Sequence, residues 1–410
     1  MMRLIRYEFI KLFCKKSVLA LILLLSAVNF FKIAGEYQSY SWLAEGTGSK
    51  SWHSAYWNLY EEYSGEITAE KIKALLAVYQ PLEEATADMT ASTATDDPDT
   101  MTGNLYSDRN LLKKYYVDPM RYFYGYRAAS LQAAEKAKEN ALRSQALGQT
   151  YEARKNSVIY RLYSERSIPA YAYREMYNYY LNYDFSTVLI LLLCLYGICG
   201  AFASEKETQM DLLLVTSPNG GRKTAMAKIL AVSAFSLFVS VWFSLADYVG
   251  FSLAFQTTEG WNLPVYAIEN FAESVLNCNL LQYSLVSALL RAVGAWLFGM
   301  LMLLLSMFWK NALLPFVLNL GVCVLLVISG AGCAYYSNLW GKTVTPYSLL
   351  TNRVLLGKTE FLNIAGHPVP AYLVSLCFAL AAGFLMAAAI FFLTKQNRHC
   401  TRRDHEHVEI

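Results

Sequence analysis

Asp247 and Arg291 are ionisable residues at the edges of long uncharged stretches, where an unpaired charge is costly. Asp247 follows Lys228 by 19 residues, and Arg291 precedes Lys310 by 19. At 1.5 Å rise per helical residue each stands ~28 Å from its lysine, so the two share a depth. Charges at such a depth usually face the interior of a helix bundle and pair. Three readings stand: a structural ion pair, two separately hydrated interfacial residues, or a relay for a substrate.

Other candidate chemistry is thin. Gly357-Lys358-Thr359 ends like a phosphate loop, but such a loop needs Gly-x4-Gly-Lys-Ser/Thr, its first glycine opening the turn whose amides cradle phosphate. The residue five before Gly357 is Asn352. Gly220-Gly221-Arg222-Lys223-Thr224 fails because Arg222 separates glycine from lysine. His399, Cys400, His405 and His407 match no structural zinc spacing. Neither His-Glu-x-x-His nor Gly-x-Ser-x-Gly occurs, and the apolar runs hold no paired carboxylates. No catalytic residue, metal or cofactor is therefore expected, and the chain does not read as an enzyme.

The elements that would position Asp247 and Arg291 are six apolar runs. Hydrophobic residues make up 55% of the 410 residues and charged ones 16%, against roughly 25% charged in soluble domains. The net charge of +3 gives no reason to expect nucleic acid. A membrane helix needs about 20 mostly apolar residues. The expected fold is an all-α membrane protein with transmembrane helices at 17–34, 185–203, 229–255, 284–309, 312–330 and 371–394. The first run reaches the required length if Lys32 snorkels. Its basic flank (Lys11, Lys15, Lys16) also suits a signal peptide, yet Val28-Asn29-Phe30-Phe31 offers no small-x-small cleavage site.

Orientation follows from lysine and arginine in the short loops. Arg3, Arg6, Lys11, Lys15 and Lys16 precede the first run, and Lys206, Arg222, Lys223 and Lys228 lie between the second and third. Lys310 separates the fourth from the fifth, and Lys395, Arg398, Arg402 and Arg403 follow the sixth. Residues 256–283 contain neither Lys nor Arg. A multi-pass cell-membrane protein with both termini cytoplasmic is expected, although Lys342, Arg353 and Lys358 fall in the outer loop 331–370. The tail 395–410 would then be cytoplasmic.

Residues 1–16 read as an amphipathic interface helix, with Leu4, Ile5, Phe9, Leu12 and Phe13 at 3–4 spacing. The plainer alternative is a basic flank that only sets topology. Residues 35–184 form the expected extracytoplasmic domain. It holds 21 of the 30 tyrosines, with 16 Lys and Arg against 20 Asp and Glu. Helices are expected at 67–82, 128–146 and 151–163, a flexible excursion at 86–104, and no strand. Its tyrosines suit packing and the membrane interface, or a peptide- or sugar-binding surface. None of the eight cysteines lies in it, so it must fold by its own core or against the spans. Cys278 and Cys333 could meet outside the membrane.

The loop 204–228 carries Glu205-Lys206-Glu207, then Leu212-Leu213, Thr216-Ser217-Pro218, Arg222-Lys223 and finally Lys228. This order resembles the cytoplasmic coupling loop of the ABC type-2 transporter permeases. Gln209-Met210 departs from the Gly-Thr common there. The resemblance implies the whole plan: an amphipathic N-terminal helix, six spans, both ends inside, and a helical outer segment before the last span, here 345–361. It also implies an exporter subunit whose Glu205, Lys206, Glu207, Leu212, Leu213 and Pro218 meet a separate ATPase. A second permease copy or a sister permease, the lipid bilayer and an exported amphipathic substrate would be the other partners. The rival reading is a membrane receptor or scaffold whose outer domain binds a ligand.

Overall fold

Within hydrocarbon a backbone must satisfy its own N–H and C=O groups, and a long apolar run does so as helix. The computed structural model describes residues 2–45, 52–90, 93–210, 221–311, 313–335 and 338–406, without side chains at 41–45, 334–335 and 395–406. Among the described residues, six helices are long and apolar enough to cross a membrane: Lys16–Tyr40, Phe185–Glu207, Arg222–Phe255, Leu280–Ser306, Leu313–Cys333 and Ala371–Thr394. The chain is a mostly helical membrane protein, and these helices are called spans one to six below.

Their ends differ from the apolar runs for local reasons. The first helix does not stop at Ala34; it continues from Lys16 to Glu45. Lys32 pairs with Glu36 at 2.7 Å across one turn, and Tyr37 and Tyr40 each pack on Phe255 with ring centroids 5.0 Å apart. Span three begins at Arg222, ahead of its apolar part. Span four begins at Leu280, where Asn279 and Gln282 form a capping box, and ends at Ser306. Spans three and four approach closely at Gly299, where a Cβ would come within 2.1 Å of Ser236 Oγ.

Between spans one and two, the chain forms helices Trp52–Tyr63, Ala69–Ala85 and Leu105–Leu112. A π-helical turn, Lys113–Val117, leads into Asp118–Ala146, against which Thr150–Ser164 folds back. A two-residue antiparallel ribbon pairs Gly65 with Tyr171 and Glu66 with Ala170. Glu175–Leu181 then leads to span two. The tyrosines explain themselves: Tyr40, Tyr56, Tyr115 and Tyr116 are wholly buried, and several hydroxyls cap carbonyls. Tyr116 donates to Tyr56 O, Tyr171 to Tyr115 O at 2.5 Å, and Tyr126 to Ala272 O at 2.9 Å. Burial pushes the Tyr56 and Tyr116 hydroxyls well above their ordinary range.

This region packs against the spans. Its core runs continuously into Ile33, Phe251 and Tyr283 at their ends. Arg166, with no exposed surface, donates to Asn277 Oδ1 at 2.8 Å, to Ala272 O at 3.1 Å and to Ser274 O. It thereby pins the connection between spans three and four to the tyrosine-rich helices.

The structure adds detail to the sequence reading at three places. The end of 86–104 is tied to the following helix: Asp108 accepts from Met101 N at 2.8 Å, Thr102 N at 2.7 Å and Thr102 Oγ1 at 2.6 Å. The segment 345–361 is two short helices, Tyr347–Thr351 and Arg353–Leu356, broken at Asn352, whose φ is 41°. Strands do occur. Phe361–Ile364 and His367–Pro370 form an antiparallel hairpin, pairing Phe361 with Pro370 and Ile364 with His367. Cys278 and Cys333 are free thiols.

Candidate functional site

Two buried charge clusters lie at opposite ends of span three. At the end beside the tyrosine-rich region, Asp247 and Arg291 meet with Oδ2 and Nη1 3.0 Å apart. Asp247 is 1% exposed, which excludes a separately hydrated carboxylate. Neutral donors complete its shell. Asn29 Nδ2 of span one donates to Oδ1 at 2.7 Å, and Ser186 Oγ of span two donates to Oδ2 at 2.5 Å. Asn29 is held in turn by the Tyr183 hydroxyl at 2.8 Å. Arg291 donates further to Ser186 Oγ at 3.2 Å and to Leu350 O at 3.3 Å. One acid and one guanidinium thus join four spans and the short helix before the hairpin.

The helical spacing argument reaches Asp247 and Arg291 but misses Asn29, Tyr183 and Ser186. A signal existed for one of them: Asn29 is the lone carboxamide in an otherwise apolar run, and a polar side chain there needs a partner.

At the other end of span three, Lys228 is the hub. It is 1% exposed and donates to Glu205 Oε1 at 2.6 Å, to Glu8 Oε2 at 3.3 Å and to Ala201 O at 2.8 Å. Lys11 also pairs with Glu205 Oε1, at 2.6 Å. Lys206 donates to Met307 O at the end of span four. The short helix Ala203–Glu207, the last turn of span two, is therefore fastened to the N-terminal helix Met2–Phe13 and to spans three and four.

This placement corrects the role given to Glu205. The residue is buried and ion-paired inside the chain, so it is not a surface group awaiting a partner. Lys206 is half-buried, whereas Glu207 is exposed. Leu212, Leu213 and Pro218 lie outside the described residues, as do the side chains of His399, Cys400, His405 and His407. Glu8 went unremarked in the sequence, although it falls three residues after Ile5 and four before Leu12, on the apolar face of its helix. An acid on that face needs a buried cation.

The Gly357-Lys358-Thr359 segment acts as a tie. Thr359 Oγ1 donates to Glu273 O at 2.6 Å and lies 3.1 Å from the Tyr163 hydroxyl. No protein-family model and no curated protein sequence matches the chain.

Proposed function

We propose that this chain is the membrane-spanning permease subunit of an ABC exporter, moving an amphipathic substrate with ATP hydrolysed on a separate subunit. The observation that carries the proposal is the fastening of Ala203–Glu207 to the N-terminal helix and to spans three and four. A permease without its own ATP site needs this connection, because displacement of the loop by a partner must reach the spans. The residue order from Glu205 to Lys228 supports the same reading. Glu207 and the Leu212-Leu213 pair would meet the ATPase, with Pro218 turning the loop. Glu205 would work behind that surface, passing the displacement to Lys228.

A second permease copy, or a sister permease, would cover faces that the bundle leaves open. In an 18-residue apolar stretch of each, only 22% of span five and 17% of span six are buried within the chain, against 67% of span two. In the cell membrane, the basic short loops and both termini would face the cytoplasm, and the tyrosine-rich region the outside. Thr95→Cys should then react with an impermeant maleimide in intact cells while Asn311→Cys stays protected, and the reverse pattern would invert the topology.

One observation favours the receptor reading. Two adjoining hollows of about 640 and 560 Å³ at the foot of the tyrosine-rich region share Asn178 and Asn270. Purification of the tagged chain from its native membrane separates the two functions. A permease brings down a soluble P-loop ATPase whose hydrolysis the pair supports in liposomes; recovery without any ATPase would leave the receptor.

A further inference from the structure

A hollow of about 760 Å³ opens beside the joint between the N-terminal helix and span one. Its apolar walls include Val18, Val232, Leu313 and Phe316, with Tyr196 from span two, and Glu8, Lys11, Lys15 and Lys228 border it. The charges there are not equivalent. Glu8 is met by Lys228, and Lys11 by Glu205. Lys15 stands 5.7 Å from the Tyr196 ring centroid, and no carboxylate among the described residues pairs with it. It occupies the non-helical step between Phe13 and Lys16 and is exposed at the joint.

An apolar crevice in a span bundle, with an acid-free cation beside it, complements a lipid whose headgroup is negative. We propose that this hollow binds one anionic phospholipid, its phosphate against Lys15 and an acyl chain along Val18, Leu313 and Phe316. Free phosphate would leave the apolar walls wet, whereas an acyl chain removes them from water. A zwitterionic lipid would bring its own cation near Lys15. The bound lipid would brace the joint beside the Lys228 cluster. None of this depends on the permease reading; it requires only that the chain sit in a bilayer.

Cys14 supplies a local readout, because it is exposed and borders the hollow. The full chain carrying Cys278→Ala, Cys333→Ala, Cys377→Ala and Cys400→Ala is reconstituted in nanodiscs of phosphatidylcholine with or without phosphatidylglycerol, and maleimide labelling of Cys14 is timed. Native mass spectrometry of the detergent-purified chain counts retained lipid. Phosphatidylglycerol should slow labelling and remain at one per chain. Lys15→Gln should weaken both effects at least about fivefold, and Lys15→Arg should keep them. Equal retention of the two lipids would overturn the proposal, as would unchanged phosphatidylglycerol binding in Lys15→Gln. Protection of Cys14 by inorganic phosphate alone, in lipid-free detergent, would overturn the lipid assignment in favour of a simple anion site.

Discussion

The two buried clusters at the ends of span three are built on opposite plans. Around Asp247, one acid meets one guanidinium, and neutral groups from Asn29 and Ser186 fill the remaining directions. The planar guanidinium fixes angles as well as distances. Around Lys228, two acids share two lysines, and an ammonium is a compact charge with rotatable donors. The first plan locks four spans into one arrangement. The second holds Glu205 Oε1 between Lys11 and Lys228 at once, so the loss of one lysine would leave it a counter-charge. A lock suits the end anchored to the large tyrosine-rich region, and a shared set suits the end carrying the loop.

Breaking the lock should have the largest effect. Arg291→Gln leaves a buried carboxylate without its cation and should destabilise by about 3–5 kcal/mol in detergent melting. Asp247→Asn should also destabilise, and the double variant should lose less than the sum. Strict additivity would mean that the two residues do not act as a pair. Lys228→Met should cost less, about 2–3 kcal/mol, because Lys11 remains 2.6 Å from Glu205. Adding Glu8→Gln should recover part of that loss. If Lys228→Met costs as much as Arg291→Gln, the contrast between lock and shared set disappears.

The spans were legible because hydrocarbon imposes a length and forbids unpaired charge, and the shared depth of Asp247 and Arg291 came from helical rise alone. Their neutral partners were not, since Ser186 and Tyr183 look ordinary in sequence. Helix ends were harder. The apolar run ends at Ala34 and Gly35 costs roughly 1 kcal/mol in a helix, yet Tyr37 and Tyr40 carry the helix onward by packing on Phe255. The hairpin at Phe361–Pro370 was hidden because its turn places Ala365, at φ 50°, before Gly366, instead of the usual Asn-Gly. Its second strand also contains two prolines. Glu205 was misjudged because acidic residues in a charged loop look solvated, and only tertiary structure brings Lys228 and Lys11 to it.

Glu175 sharpens the comparison from the other side. It is a buried acid with a hydrogen bond from Asn178 but a distant cation: Arg174 stands 3.8 Å away and is shared with Glu269 at 3.5 Å. Burial raises its carboxyl above the ordinary value of 4.5, outweighing the opposing pull of Arg174 and Lys114. With a raised folded-state pKa, the stabilisation is complete below the ordinary value and is lost as pH rises through the folded one. Glu175→Gln should therefore raise the melting temperature at pH 7, by the equivalent of about 1 kcal/mol, and change little at pH 4. A loss of stability at pH 7 would place Glu175 with Asp247 among the fully matched acids.

The smallest effect on stability, and the most informative for function, belongs to the exposed side of the loop. Glu207→Lys should change melting by under about 0.5 kcal/mol, since the residue is exposed. Glu205→Gln, by contrast, should destabilise. The decisive measurement is capture of the ATPase by wild type, Glu207→Lys and Leu213→Asp at matched expression and melting temperature, with substrate-stimulated hydrolysis followed in liposomes. A permease driven through this loop predicts that capture and stimulation fall sharply in both variants while the spans stay folded. Undiminished capture and transport in both would contradict it.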